Sequence, residues 1–135
     1  MKIVLDTNVV VSALITPGGH CGVVLDRVLD GSDAWILTRS IVAEYVAVLL
    51  RPELPLGSPE RQALISAVQA MDILPDPSSH SNEAKCVDGD DQPFLDAALC
   101  YGAACLVTGN RKHFPAQTPR CLRIVTPREF LIAAI

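Results

Sequence analysis

Residues 1–12, MKIVLDTNVVVS, decide how the rest of the chain is read. Lys2 to Leu5 form an apolar run rich in β-branched residues, the composition of a strand buried on both faces of a sheet. Asp6 follows at once, where such a strand leaves the sheet. Thr7 is placed to cap a helix whose first residues are Asn8 and Val9. A carboxylate therefore stands at the carboxyl end of a strand, beside the amino end of a helix. In open α/β sheets that edge is where ligands bind.

Outward from this stretch, strand and helix patterns alternate, which predicts a parallel sheet with helices on both faces. A helix over 7–14 ends at Pro17-Gly18-Gly19. A second spans 20–29, and Trp35-Ile36-Leu37 reads as a short strand. Ser40 is placed to cap a helix running to about Leu50, with Glu44 in its first turns. Ser58-Pro59-Glu60 opens the next helix with a cap, a proline at the first position and an acid in the first turn. Ile73-Leu74 reads as a short edge strand between the helix and two prolines. Residues 76–89 are polar and read as a mobile loop. Asp88, Asp90 and Asp91 then gather before a helix over 92–101. Ala104–Val107 is an apolar strand that ends in Thr108-Gly109-Asn110, and residues 111–114 suit one helical turn. Leu122–Val125 is the last strand. Thr126-Pro127-Arg128-Glu129 is a capping box for a closing helix.

The bulk properties fit one globular domain over residues 1–135: half the residues are hydrophobic and 19% are charged. No apolar stretch approaches the length of a membrane span. Asp6 and Asn8 interrupt the apolar start, so a signal peptide is not expected and the expected location is cytoplasmic. The net charge of −4 argues against nonspecific nucleic-acid binding by the whole surface. It does not exclude a nucleic-acid enzyme, because acids gathered around a metal lower the net charge while the ion reverses the local sign. The five cysteines include no CxxC pair and read as reduced thiols.

Three acids fall near one sheet edge by independent arguments. Asp6 ends the first strand, Glu44 begins the helix after the second, and Asp91 precedes the helix that leads into Ala104–Val107. Asn110, after that strand, is placed to join them. Carboxylates converge either to hold hard cations or to divide acid and base roles. Left unpaired they repel, and at least one acquires a raised pKa. No lysine or arginine stands at the matching positions, so a divalent metal is the economical solution, and oxygen ligands favour Mg²⁺ or Mn²⁺. Such an ion activates water and steadies charge on phosphate oxygens, which suits phosphodiester hydrolysis. Asn8 and Thr108 are placed to orient the carboxylates.

The segments VLDTNVVVSAL, Glu44 within SIVAEYVAVLLRP, DGDDQPFLDAAL, LVTGNRKHF and IVTPREFL, in this order, resemble the PIN-domain ribonucleases. The likeness is to the toxin-type members of bacterial toxin–antitoxin pairs, the VapC toxins among them. The resemblance spans nearly the whole chain. It implies a three-layer α/β fold with a central parallel sheet, Mg²⁺- or Mn²⁺-dependent cleavage of single-stranded or structured RNA, and an acid set matching Asp6, Glu44 and Asp91. It also implies a small antitoxin partner and a homodimer. Many relatives carry an acid where this chain has Asn110, whose amide oxygen ligates without charge. Some carry one at the position of Asp96, five residues after Asp91 and about 140° round an ideal helix. Arg111 and Lys112 form a basic pair beside the site, suited to RNA phosphates.

Two alternatives stand beside this reading. One is a catalytically weak or inactive module of the same fold that binds RNA or a protein, with Asn110 marking lost metal affinity. The other is a phosphoryl-transfer domain on a similar sheet. A haloacid-dehalogenase phosphatase places a second aspartate where this chain has Asn8. A receiver domain ends a middle strand in aspartate, where Trp35-Ile36-Leu37 is followed by Thr38 and Arg39.

Overall fold

The buried strand expected at the amino end is present. In β1 (Lys2–Leu5), Ile3, Val4 and Leu5 have no exposed surface, each such side chain contributing about 1.5–3 kcal/mol through burial. The structure is a computed structural model that describes residues 1–78, 85–86, 88–119 and 122–133. Helices α1 (Thr7–Ile15) and α2 (His20–Leu29) follow, then the short strand β2 (Ala34–Trp35). Next come α3 (Arg39–Leu49), α4 (Ser58–Gln69), a 3-10 turn over Gly89–Asp91, and α5 (Gln92–Cys100). Strand β3 (Cys105–Val107), a second 3-10 turn over Arg111–His113, β4 (Arg123–Val125) and α6 (Pro127–Ala133) complete the chain.

The four strands are parallel, in the order β2-β1-β3-β4. Leu5 lies opposite Val107, and Val107 opposite Val125. Asp6, Thr108 and Thr126 therefore leave the sheet side by side. From β1 the chain crosses to β2 on one side, then returns past β1 to β3 on the other. The connection reverses between β1 and β3, and such a reversal opens a crevice at the carboxyl ends of the strands. Right-handed crossovers put the two connections on opposite faces. Accordingly α2 packs on α1 and α6, while α5 packs on β1, β3 and α3. This is the expected three-layer α/β architecture. No single helix among the described residues is long and apolar enough to cross a membrane.

Three helix starts differ from expectation: α4 begins at Ser58 itself, with Gly57 at its N-cap and no side-chain cap, and the starts of α1 and α3 differ for one shared physical reason. Thr7 does not cap α1; Asp6 does, its Oδ1 accepting from the Thr7 backbone N–H at 2.8 Å. Ser40 does not cap α3; Thr38 does, its hydroxyl accepting from the Ile41 N–H at 3.3 Å. In both of these the buried residue just ahead of the helix has the fixed geometry, and the following residue is drawn into the helix. Ser40 instead holds Asp76, through its N–H at 3.1 Å and its hydroxyl at 2.8 Å. The expected edge strand at Ile73-Leu74 is a single bridge from Leu74 to Thr38, and β2 ends at Trp35, earlier than expected. Residues 79–84 and 87 of the polar loop, and Cys121, lie outside the described residues. The cysteines described, Cys21, Cys86, Cys100 and Cys105, are all free.

The loop between α3 and α4 is closed by one guanidinium. Arg61 donates to the carbonyls of Leu49 and Arg51 at 2.6 Å, Leu54 at 2.7 Å and Leu56 at 3.1 Å. It thereby satisfies carbonyls that the end of α3 leaves without intrahelical partners. Its planar fork of donors suits this task, and a lysine ammonium does not reproduce it. Arg61→Ala is expected to lower stability by about 1–3 kcal/mol in urea titration, with Arg61→Lys recovering only a small part. Wild-type stability in the alanine variant would show that the clamp contributes nothing.

Candidate metal centre

The reversal between β1 and β3 opens into a cavity of about 380 Å³. Its lining includes Asp6, Asn8, Glu44, Asp91, Asn110 and His113. The three acids singled out in the sequence thus reach one cavity from β1, α3 and the turn before α5.

Asp6 is the most constrained of them, 5% exposed. Besides the Thr7 N–H on Oδ1, its Oδ2 accepts from the Thr108 hydroxyl at 2.8 Å and from Asn8 Nδ2 at 3.3 Å. Thr108 in turn accepts from the Asn110 N–H at 3.0 Å, and Asn8 Oδ1 accepts from the Gly109 N–H at 3.1 Å. Asn8 and Thr108 therefore orient Asp6, as expected, and tie the end of β1 to the segment leaving β3. Burial pushes the Asp6 carboxyl above its ordinary value of 3.8; the Thr108 hydrogen bond opposes this, and the charge of Asp91 adds to it.

Glu44 is half-buried on α3, whose rotation is set by its neighbour in sequence. Tyr45 is buried against Trp35 and Phe94, and its hydroxyl donates to the Leu5 carbonyl at 2.5 Å. This bond attaches α3 to the residue before Asp6 and leaves Glu44 on the cavity side. No hydrogen bond ties Glu44 to another described residue.

Asp91 stands at the amino end of α5 without capping it. The capping work in this turn falls to Asp88, whose Oδ1 accepts from the Asp90 N–H at 3.0 Å. Asp91 Oδ2 is buried, and His113 Nδ1 faces it at 3.1 Å. Burial raises the Asp91 pKa, His113 counters this, and Asp88 adds to it. The same environment reaches Cys86, whose thiol is pushed up to about 12 by burial and then by Asp91, Asp96, Asp6 and Asp88.

Two expectations are corrected. Asp96 is outside the cavity: it is buried within α5, and its Oδ1 accepts from Gln92 Nε2 at 2.9 Å. The extra part-turn between positions 91 and 96 carries it away from the acids. Arg111 and Lys112, expected beside the site, line a larger groove of about 830 Å³ with Arg123 and Glu129. Arg111 Nη1 is held by both oxygens of Glu129, at 3.0 and 2.9 Å. Finally, the acids are not without a nearby cation, since Arg51 lines their cavity. Asn110 does reach the cavity, but its Nδ2 lies 3.0 Å from His113 Nε2 and 3.5 Å from Nδ1.

His113 is the residue that sequence reasoning missed. The signal was its spacing: in a 3-10 turn residues three apart eclipse, so Asn110 and His113 share a face. Arg111 and Lys112, between them, line the groove instead.

Among the described residues, no three His, Cys, Asp or Glu side chains close into a ready cation cage. The donor set nonetheless fits a divalent ion. Asp91 Oδ2 is a buried oxygen that meets no donor but His113 among the described residues, and burial with the charge of Asp91 disfavours the ionised form of Asp6. A hard cation relieves both costs.

A family model described as PIN domain matches residues 2–112. The chain belongs to the PIN domain family. It is 29% identical to an uncharacterized protein of Methanocaldococcus jannaschii, over 97% of this chain and 90% of that protein. Among solved structures, it superposes with a TM-score of 0.66 on a chain of VapBC2 from Rickettsia felis bound to a DNA fragment from their promoter. That match covers 93% of this chain and 98% of the other at 16% identity, a likeness of fold.

The carboxyl of Asp6 keeps its proton to higher pH in the fold than in the unfolded chain. Its contribution to stability is therefore lost as pH rises from the ordinary value through the raised one. In the presence of chelator, the stability of Asp6→Asn relative to wild type is expected to increase as pH rises above the ordinary carboxyl value of 3.8. Thermal denaturation across this range measures it, and a difference independent of pH would show that Asp6 carries no such penalty.

Proposed function

We propose that this PIN domain is an Mg²⁺- or Mn²⁺-dependent endoribonuclease, the toxin of a toxin–antitoxin pair, restrained in the cytoplasm by a small antitoxin protein. The observation that carries the nuclease reading is the arrival of Asp6, Glu44 and Asp91, from three separate elements, at one cavity where the sheet connection reverses. Structural acids do not need to meet; acids that share a cation do. The toxin reading is supported by the VapBC2 fold likeness. A homodimer would lengthen the surface offered to RNA.

Asp6, Asp91 and Glu44 would hold the ion, with Asp6 fixed by Thr108, Asn8 and the Thr7 N–H. When bound there, such an ion would supply Lewis acidity toward water and the phosphoryl oxygens. Arg51, on the rim of the same cavity, offers a guanidinium to a phosphate. Lys112 and Arg123 line the adjacent groove and suit the RNA strand beyond the cleaved bond. The second reading, a weak or inactive module that binds RNA or protein, draws on the neutral Asn110 amide in the place of an acid.

Purified protein with labelled single-stranded RNA is expected to cleave in Mn²⁺ or Mg²⁺ and not in chelator. Asp6→Asn, Glu44→Gln and Asp91→Asn are each expected to lose activity by about 100-fold or more, as for removal of a group that stabilises the transition state. Retention of RNA binding without cleavage by wild type would establish the second reading. Equal cleavage by wild type and the three variants would remove the acids from the mechanism.

A further inference from the structure

We propose that a second cavity, across the Asn8–Gly109 contact from the acids, is a phosphate subsite for the RNA strand. Arg128, with Ser12, Thr16 and His20, would hold the strand's backbone there while the scissile bond lies over Asp6, Glu44 and Asp91. This rests on the nuclease reading above, which supplies the RNA, and names how the strand is held.

The cavity measures about 290 Å³, and its lining includes Ser12, Thr16, His20, Gly109 and Arg128. It lies one hydrogen bond away from the acids. Asn8, which lines the acidic cavity, accepts from the N–H of Gly109, which lines this one. The two cavities thus share a wall at the carboxyl ends of β1 and β3. Their chemistry is opposite. No aspartate or glutamate lines the second cavity, whose lining carries hydroxyls, an imidazole and a guanidinium. Such a set offers donors to phosphate oxygens and presents no anion to repel them.

Two residues here have no structural use that accounts for them. Arg128 is exposed in the first turn of α6, where a cation opposes the helix dipole. Among the described residues no hydrogen bond or ion pair engages it. Glu129, one residue on, lines the groove instead and holds Arg111. Gly109 is the other. Its φ is not in the left-handed region, and a Cβ there would come no closer than 3.5 Å to Asn8. Neither conformation nor packing therefore calls for glycine. A strand crossing from one cavity to the other does, because bare backbone keeps the shared wall low.

The far side of the cavity is held in shape by a close backbone approach. The turn over Pro17-Gly18-Gly19 lies against Gly22 of α2, where a Cβ would stand 2.0 Å from the Pro17 carbonyl oxygen. This contact fixes the turn that separates Thr16 from His20.

The experiment uses the full chain carrying Asp91→Asn, in chelator, so that RNA is bound and not cut. Binding of a labelled single-stranded RNA is followed by fluorescence anisotropy across a salt series. Arg128→Ala is expected to weaken binding by about five- to tenfold. It is also expected to make the slope of log affinity against log salt shallower by about 0.7, the share of one phosphate in a single strand. Arg128→Lys is expected to keep the slope and recover part of the affinity. Lys2→Ala, on the strand end opposite the acids, is expected to change neither. A merely structural role for Arg128 would not move the slope, and unchanged circular dichroism confirms that the variants fold. Unchanged affinity and slope in Arg128→Ala overturn the subsite, and metal-dependent cleavage by the unsubstituted chain then leaves the nuclease reading standing. A slope that depends on Arg128, in a protein whose unsubstituted chain cuts no RNA, sustains the subsite and overturns the nuclease reading.

Discussion

The constraint on which the structure depends is the burial of one carboxylate at the end of β1. Asp6 is 5% exposed and carries three hydrogen bonds, to the Thr7 N–H, the Thr108 hydroxyl and the Asn8 amide. Those partners belong to the start of α1 and to the segment leaving β3. A buried charge requires such partners, because desolvation without them costs several kcal/mol. Here they simultaneously fix the crossing of two chain segments 102 residues apart. The partners lower the Asp6 pKa, but burial and Asp91 outweigh them. The fold therefore retains an unrelieved electrostatic cost at its carboxyl edge. A purely structural aspartate would not be placed within reach of another carboxylate. The contrast is Asp33, buried just before β2 and paired with Arg27 Nε at 2.7 Å, which shows how this chain settles a buried acid when no ligand is involved.

The rest of the site follows from holding further groups toward Asp6. Tyr45 does so for Glu44 through its bond to Leu5, and the Asp88 cap does so for Asp91 by taking the local N–H. Arg61 does so for Arg51, by closing the loop that carries it onto four carbonyls. Each device is separate in sequence from the group it positions. The cavity is consequently walled by elements fixed from outside it, while Asp91 and Asp6 keep raised pKa values within it.

Much of this was legible in the sequence, and the remainder was hidden for identifiable reasons. The β-branched run before Asp6 specified the central strand, and the alternating pattern specified a parallel sheet. Glu44 and Asp91 were readable because each falls beside a strand or helix end, where position along the chain fixes position at the sheet edge. Asp96 was misplaced because rotation about a helix separates residues that are close in number. Thr7 and Ser40 were chosen as caps because they lie beside the helical pattern, whereas tertiary burial of Asp6 and Thr38 decided the caps. Arg111 was read as free, since its partner Glu129 is 18 residues away and was already assigned to a capping box. His113 was passed over because a lone histidine in a basic tetrad usually faces water. Only the 3-10 geometry of that turn separates it from its neighbours.

That turn links the carboxyl-terminal part of the chain to the acidic cavity. Thr126 and Glu129 form the predicted capping box, with the Thr126 N–H on Glu129 Oε1 at 3.0 Å and the Glu129 N–H on Thr126 Oγ1 at 3.2 Å. The Thr126 N–H, and then its hydroxyl, hold the Glu129 carboxyl below its ordinary range, so Glu129 stays charged to hold Arg111. Arg111 begins the turn in which Asn110 and His113 face the acids. An exposed ion pair of this kind adds little to global stability. Its effect is orientational: it draws Arg111 to one side of the turn and leaves His113 on the other. The PIN model matches residues 2–112 and stops one residue before His113. The support for that imidazole lies in β4 and α6, beyond the matched stretch. These last elements thus help shape the site as well as close the sheet.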